Sequence, residues 1–200
     1  VIKSARYSHP VVQVKGDAEV TLEGLTITGA SGRCNGGICP YGLYVKDSAR
    51  VTLTEVNISG NYYGGLCVTS TAQVTLKDCT VSDNGNHGGP GLHVLYHAQV
   101  TLKDSTVSNN GDSGLIVEDA TQAFIEGCLI EGNGIDGITV LEDAHVELSS
   151  TTVRYNTGWG IAAYLKKCGK PSNYYYEATV LWRGRGNKIY GNRKGDVCLR

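Results

Sequence analysis

One five-residue phrase recurs along this chain: Ala18-Glu-Val-Thr-Leu22, Ala49-Arg-Val-Thr-Leu53, Ala72-Gln-Val-Thr-Leu76, Ala98-Gln-Val-Thr-Leu102 and Ala144-His-Val-Glu-Leu148. Taken at the third residue, the column reads Val20, Val51, Val74, Val100, Ala123, Val146, with steps of 31, 23, 26, 23 and 23 residues. A period in this range belongs to solenoids, in which each repeat buries its apolar face only by stacking on the next. Within a unit, apolar residues come in alternating pairs, as in Val74/Leu76, Cys79/Val81 and Leu92/Val94. That spacing is the period of a strand and not of a helix. Three short strands per turn predict an all-β fold, a parallel β-helix of roughly six to seven coils with about 23 residues each.

Two further columns fall into register. Gly42, Gly65, Gly91, Gly114, Gly137 and Gly160 precede the third strand, where positive φ or a close backbone approach calls for glycine. Asn61, Asn84, Asn110, Asn133 and Asn156 sit in the turn before them. At a coil spacing of ~4.8 Å such amides can bond from one turn to the next, and a structural ladder is expected. Alternation turns the Val20 and Leu22 columns inward on the first strand, Ile27, Ile58, Val81, Val107, Ile130 and Val153 on the second, and the Leu43 and Val45 columns on the third. Cys79 and Cys128 share an inward column with Ser105 between them, ~9.6 Å apart and too far to bridge. They are expected as buried thiols filling small apolar space.

Units of the form VTL-x-D-x-TVS-x-N-G-x-x-G-L-x-V, with the asparagine column between second and third strands, resemble the right-handed parallel β-helix repeats of the pectate-lyase-like superfamily. The resemblance covers residues 11–164 and resumes at Asn187-Lys-Ile-Tyr-Gly-Asn192. It implies a right-handed winding. It narrows function little, because polysaccharide lyases, hydrolases, epimerases, phage tailspikes and adhesins share the fold. The tail, Gly158 to Cys168 and Gly195 to Leu199, is similar to the closing segment of secreted bacterial proteins with these repeats, a likeness that implies no activity. A single domain over 1–200 is expected, with regular coils over 11–164, an irregular insertion over 165–186 and a final partial coil over 187–200.

The formal charge of −1 conceals a segregation, because residues 165–200 carry nine Lys and Arg against Glu177 and Asp196. An acidic body with a basic end favours anionic ligands or head-to-tail self-association with another β-helix. It disfavours nucleic acid, for which no module is present. No apolar run approaches the ~18 residues of a membrane span, so no membrane insertion is expected. The chain contains no Met and begins at Val1, which suits a mature or trimmed segment of a longer product. Seven cysteines, four of them placed as Cys34/Cys39 in a Gly-rich excursion and Cys168/Cys198 around the C-terminal segment, suggest disulfides and an oxidising, extracellular setting. Neither pair has the spacing of a zinc knuckle.

Register assigns the outward residues of each strand. In lyases and hydrolases of this fold, the resemblance implies a cleft over the outer first-strand face with clustered carboxylates and a basic residue. Here that face reads Thr21, Thr52, Thr75, Thr101, Phe124, Glu147, flanked by Glu23, Thr54, Lys77, Lys103, Glu126 and Ser149. Glu126 and Glu147 approach the spacing of a carboxyl pair, with no third acid or arginine in register beside them. Glu55, Asp78 and Asp104 alternate diagonally with Lys77 and Lys103 as a charge ladder. Glu118, Asp119, Glu142 and Asp143 form an acidic turn stack, the one candidate for a hard cation such as Ca²⁺; no other cofactor is expected.

The third-strand outer face is unusually apolar, with Tyr44, Cys67, His93 and Ile116 in one column and Leu95, Leu141 and Tyr164 in the next. Cys67 and His93 lie one strand apart, the geometric minimum for an activated nucleophile, but no orienting acid stands in register beside them. Contact with a partner, or cover by Tyr174-Tyr-Tyr176 and Trp182, is the expected explanation. At the second turn, Tyr62, Tyr63, Asn86, His87, Asp112, Asp136 and Trp159 form a candidate sugar-binding ridge, since aromatic faces stack on pyranose rings while polar groups bond hydroxyls. Outward Thr and Ser on the second strand resemble an ice-binding array, interrupted by Leu129-x-Glu131. Because the faces where acids would have to converge carry Thr and Lys, the sequence points to a non-catalytic secreted scaffold, carbohydrate-binding or self-assembling. The alternative is a polysaccharide lyase, epimerase or hydrolase, and the minor one an ice-binding or metal-binding solenoid.

Overall fold

The computed structural model describes residues 1–4, 7–34, 39–163, 168, 178–184 and 186–199. Every strand pairs in parallel with the equivalent segment one coil away, so three sheets run the length of the molecule, with seven, eight and eight strands for the first, second and third strand positions. Among the described residues there is no α-helix. The solenoid has about seven turns, as the repeat predicts.

Registers follow the sequence columns. In the first sheet Val20 pairs with Val51, then Val74, Val100, Ala123 and Val146. The series continues to Val180 in the strand Thr179–Trp182, inside the stretch 165–186 expected to be irregular. At the other end Ile2–Lys3, ahead of the coils expected from residue 11, already pairs with the second sheet. The inward columns fuse into one apolar core, with Leu43, Leu66, Leu92, Leu115 and Ile138 fully buried. Each such side chain contributes roughly 1.5–3 kcal/mol by leaving water.

The corners turn on residues in the left-handed region. Between first and second strands, Gly24, Glu55, Asp78, Asp104, Gly127 and Ser150 all have φ between 47° and 65°. Asp and Gly are among the residues that tolerate this conformation, so Glu55, Asp78 and Asp104 are set first by backbone and only then by charge. Gly91 shows what the glycine column is for. Its φ is not positive; a Cβ there would meet Asn110 Nδ2 and the Gly114 carbonyl at 2.7 Å. Close approach of neighbouring coils, and not a special dihedral, excludes side chains.

The asparagine ladder runs from Asn61 through Asn84, Asn110, Asn133 and Asn156 to Asn192. Each Nδ2 donates to the next Oδ1 at 2.9–3.1 Å, and each backbone N–H donates to the same oxygen. Nδ2 of Asn84 and Asn110 also reaches back to the carbonyls of Ile58 and Val81. Amides that the bend would leave bare are thereby paired in a dry interior. In the thiol column Ser105 Oγ accepts from Cys79 N and donates to Lys103 O, so its polarity is satisfied. Cys79 and Cys128 are buried and free. Cys34 is bonded to Cys39 and Cys168 to Cys198.

Candidate functional site

A groove of about 230 Å³ opens on the third-strand face, lined by tyrosines 41, 44, 63 and 96 around Cys67, Thr69 and His93. Register builds it, because Tyr44 pairs with Cys67 and Cys67 with His93, one residue from each of three successive coils. Tyr41 pairs with Gly64, and a Cβ on Gly64 would lie 2.6 Å from the Tyr41 ring. The missing side chain lets the ring lie flat across the coil and reach His93 two coils on, where its hydroxyl meets Nδ1 at 3.1 Å. Tyr63 packs edge-on against the same ring, centroids 5.1 Å apart.

The other imidazole nitrogen, His93 Nε2, lies 2.6 Å from Glu118 Oε1. The orienting acid that register did not supply is therefore present. Glu118 follows the strand Leu115–Val117 and reaches back diagonally by one coil, a displacement that column alignment does not see. With the ring proton on Nε2 toward the carboxylate, Nδ1 accepts from the Tyr41 hydroxyl, and the Cys67 thiol lines the same groove beside that tyrosine. Burial pushes the Cys67 thiol up to about 12, and burial likewise raises the Tyr41 phenol well above its ordinary value. Both groups are thus neutral at physiological pH. Both ring nitrogens of His93 are engaged inside the protein, by the Tyr41 hydroxyl and the Glu118 carboxylate.

The remaining sequence candidates are distributed differently from expectation. The ridge divides: Tyr62 stacks on His87 at 4.1 Å, Asn86 is exposed, and Tyr63 turns instead into the groove. Asp136 is 1% exposed, not presented to solvent, because its carboxylate accepts from Trp159 N and Thr139 Oγ1 inside the turn. Asp112 is spent on Ser113 next to it. Trp159 packs half-buried on Ala162 and the Cys168–Cys198 bridge, together with Leu141. Of the apolar patch, Tyr44, Cys67, His93 and Leu95 line the groove, and Ile116 is half-buried beside it. Tyr164 and Tyr174 to Tyr176 lie outside the described residues. Trp182 does not cover this face, since it pairs with Leu148 on the first sheet.

Glu118 is engaged by His93, Glu142 hydrogen-bonds Asp119, and among the described residues no three His, Cys, Asp or Glu side chains are grouped to hold a metal ion. On the first-strand face, Phe124, Glu126, Glu147 and Arg183 line a smaller hollow of about 170 Å³. The sequence register gave this pair no arginine; the seventh strand brings Arg183 there. Its guanidinium donates twice to Glu147 at 3.1 Å, and His145 approaches the same carboxylate at 3.2 Å. Arg183 first and His145 second hold the Glu147 carboxyl below its usual range. Glu126 is paired with Lys103 at 3.5 Å.

A family model described as "Right handed beta helix region" matches residues 10–199. The chain belongs to this family. As a right-handed β-helix protein it is similar to the crystal structure of pectate lyase Pel9A, at 15% identity and a TM-score of 0.44, over 86% of this chain and 50% of that one. The β-helix thus spans about half the length of that structure. No curated protein matches it.

Proposed function

We propose that this β-helix protein is a non-catalytic carbohydrate-binding module working outside the cell, and that its glycan contact is the tyrosine groove. The observation that carries this reading is the composition of that groove: aromatic faces at Tyr44, Tyr63 and Tyr96 around a small polar centre of Thr69 and His93. Aromatic platforms with few convergent polar groups are what pyranose rings require. Protonation supports binding over turnover, since burial holds the Cys67 thiol and the Tyr41 phenol in their neutral, weakly nucleophilic forms. The two disulfides support an oxidising compartment.

The polysaccharide-active reading draws on the first-strand hollow, where Arg183 stands beside two carboxylates. A general acid at neutral pH needs a raised pKa, whereas Glu147 is held low by its ion pair. One experiment separates the readings. Purified protein is titrated with a panel of neutral, acidic and basic oligosaccharides, and the same mixtures are assayed for shortened or unsaturated products. Binding without product is expected, lost in Tyr63→Ala and kept in Glu147→Gln. Product that disappears in Glu147→Gln would replace this proposal with the enzymatic one.

A further inference from the structure

The groove has a sign. Among the described residues lining it there is neither lysine nor arginine. Carboxylates stand at two of its sides. Glu118 lies behind His93, with its side chain 22% exposed, and Asp47 follows the strand Tyr41–Val45, close enough to help raise the Tyr44 phenol. Lys46, just past the end of the same strand, lies 3.9 Å from Asp47 and does not line the groove. The tyrosine faces add their own negative quadrupoles, to which a cation is drawn and an anion is not. A carboxylate-bearing sugar entering here would meet Glu118 and Asp47 nearby with no lysine or arginine among the described lining residues to receive it, which costs affinity in a partly desolvated site.

Resting on the glycan-binding reading above, we infer that the groove is selective for a polysaccharide of amino sugars with free ammonium groups, the pyranose ring lying on Tyr44, Tyr63 and Tyr96 and the ammonium directed toward Glu118 and Asp47. The geometry suits a chain and not only a single ring. The groove crosses three coils at ~4.8 Å spacing, so polar and aromatic groups recur along the solenoid axis on the scale of successive sugar units. The ammonium is also a hydrogen-bond donor, matched to a lining in which Tyr and Thr hydroxyl oxygens can accept.

The test is titration calorimetry with three oligosaccharides of equal length: a glucosamine oligomer, its fully N-acetylated counterpart and a galacturonate oligomer, at a pH below the pKa of the free amine. The glucosamine oligomer is expected to bind on the order of tenfold tighter than the acetylated one, and the galacturonate weakest. Raising salt should shrink that preference, because part of it is long-range charge. Glu118→Gln should bring the affinities of the glucosamine and N-acetylated oligomers to within a few-fold of each other, the ratio being the quantity read, and Asp47→Asn provides a second variant should the first disturb the His93 contact. Circular dichroism verifies that each variant is folded. Equal or tighter binding of the acetylated oligomer overturns the ammonium inference but leaves the glycan reading standing. Tightest binding of galacturonate does the same. Failure of all three sugars overturns both, and if tetramethylammonium or an oligolysine binds in that case, the groove is an ammonium site for a non-sugar ligand.

Discussion

His93 Nε2 and Glu118 Oε1 are 2.6 Å apart, across a step from one coil to the next. A pairing this short between half-buried groups fixes the imidazole plane, and through Nδ1 it fixes the Tyr41 hydroxyl, beside which the Cys67 thiol lines the groove. Read as chemistry, such a set resembles an activated nucleophile; read by protonation, it is the opposite. Burial pushes Cys67 to about 12 and Cys128 to about 11, and thiolate is the reactive form.

The three free thiols, Cys67, Cys79 and Cys128, should therefore resist a thiol reagent in the native protein at neutral pH. Three equivalents should react once the chain is unfolded with its disulfides intact. Native-state labelling of Cys67 at the rate of a free cysteine would show a thiolate in the groove and return the site to catalysis.

Asn110→Ala removes the Oδ1 that accepts from Asn84 N and Asn84 Nδ2, and the Nδ2 that donates to Val81 O and Asn133 Oδ1. Buried donors and acceptors are left unpaired on both sides of the ladder. A loss of about 2–4 kcal/mol is expected in urea unfolding. A change within experimental error would mean that water enters the turn.

Gly91→Ala places a Cβ 2.7 Å from Asn110 Nδ2 and 2.9 Å from Val107 Cγ1. Coils packed through hydrogen bonds cannot separate locally, so overpacking should cost about 1–3 kcal/mol. Equilibrium unfolding of this variant alongside Asn110→Ala should show non-additive losses, because both act on one amide.

The hydrogen bond that protonated Glu142 donates to Asp119, then burial, then the charges of Asp119, Glu118 and Asp143 raise the Glu142 carboxyl to about 7. Its unfolded value is about 4.3. Between those values the folded chain binds more protons than the unfolded one, so this group's contribution to stability falls as pH rises through that window and is level above it. The difference in melting temperature between wild type and Glu142→Gln, followed from pH 4 to pH 8 (about the span of the two values), should shift in favour of the variant as pH rises. A constant difference would show that Glu142 and Asp119 share no proton.

The winding was legible because burial repeats with the coil: Val20 and its column, Ile27 and its column, and the asparagines from Asn61 to Asn156 each mark one position on a stack. Regularity made prediction of neighbours a matter of counting 23 residues. What counting missed are contacts made by long side chains leaving their own column. Tyr41 crosses two coils because Gly64 has no side chain, and a tyrosine followed one coil later by Gly64-Gly65 was the available signal. Glu118 reaches back across a strand, and Arg183 arrives from a seventh strand whose Thr179-Val-Leu-Trp182 lacks the repeated phrase. Asp136 failed as a surface ligand for a related reason: in a tight turn a short carboxylate caps backbone N–H groups before it meets solvent. Backbone register is thus readable from a repeat, while a site assembled diagonally across it is not.

The most direct test of the account is a crystal structure of the protein soaked with an oligosaccharide that binds it in solution. Sugar rings stacked on Tyr44, Tyr63 and Tyr96, with the glycosidic bonds intact and His93 still bonded to Tyr41 and Glu118, are the predicted result. Sugar seated instead on the first-strand face between Glu126, Glu147 and Arg183, or cleaved there, would contradict it.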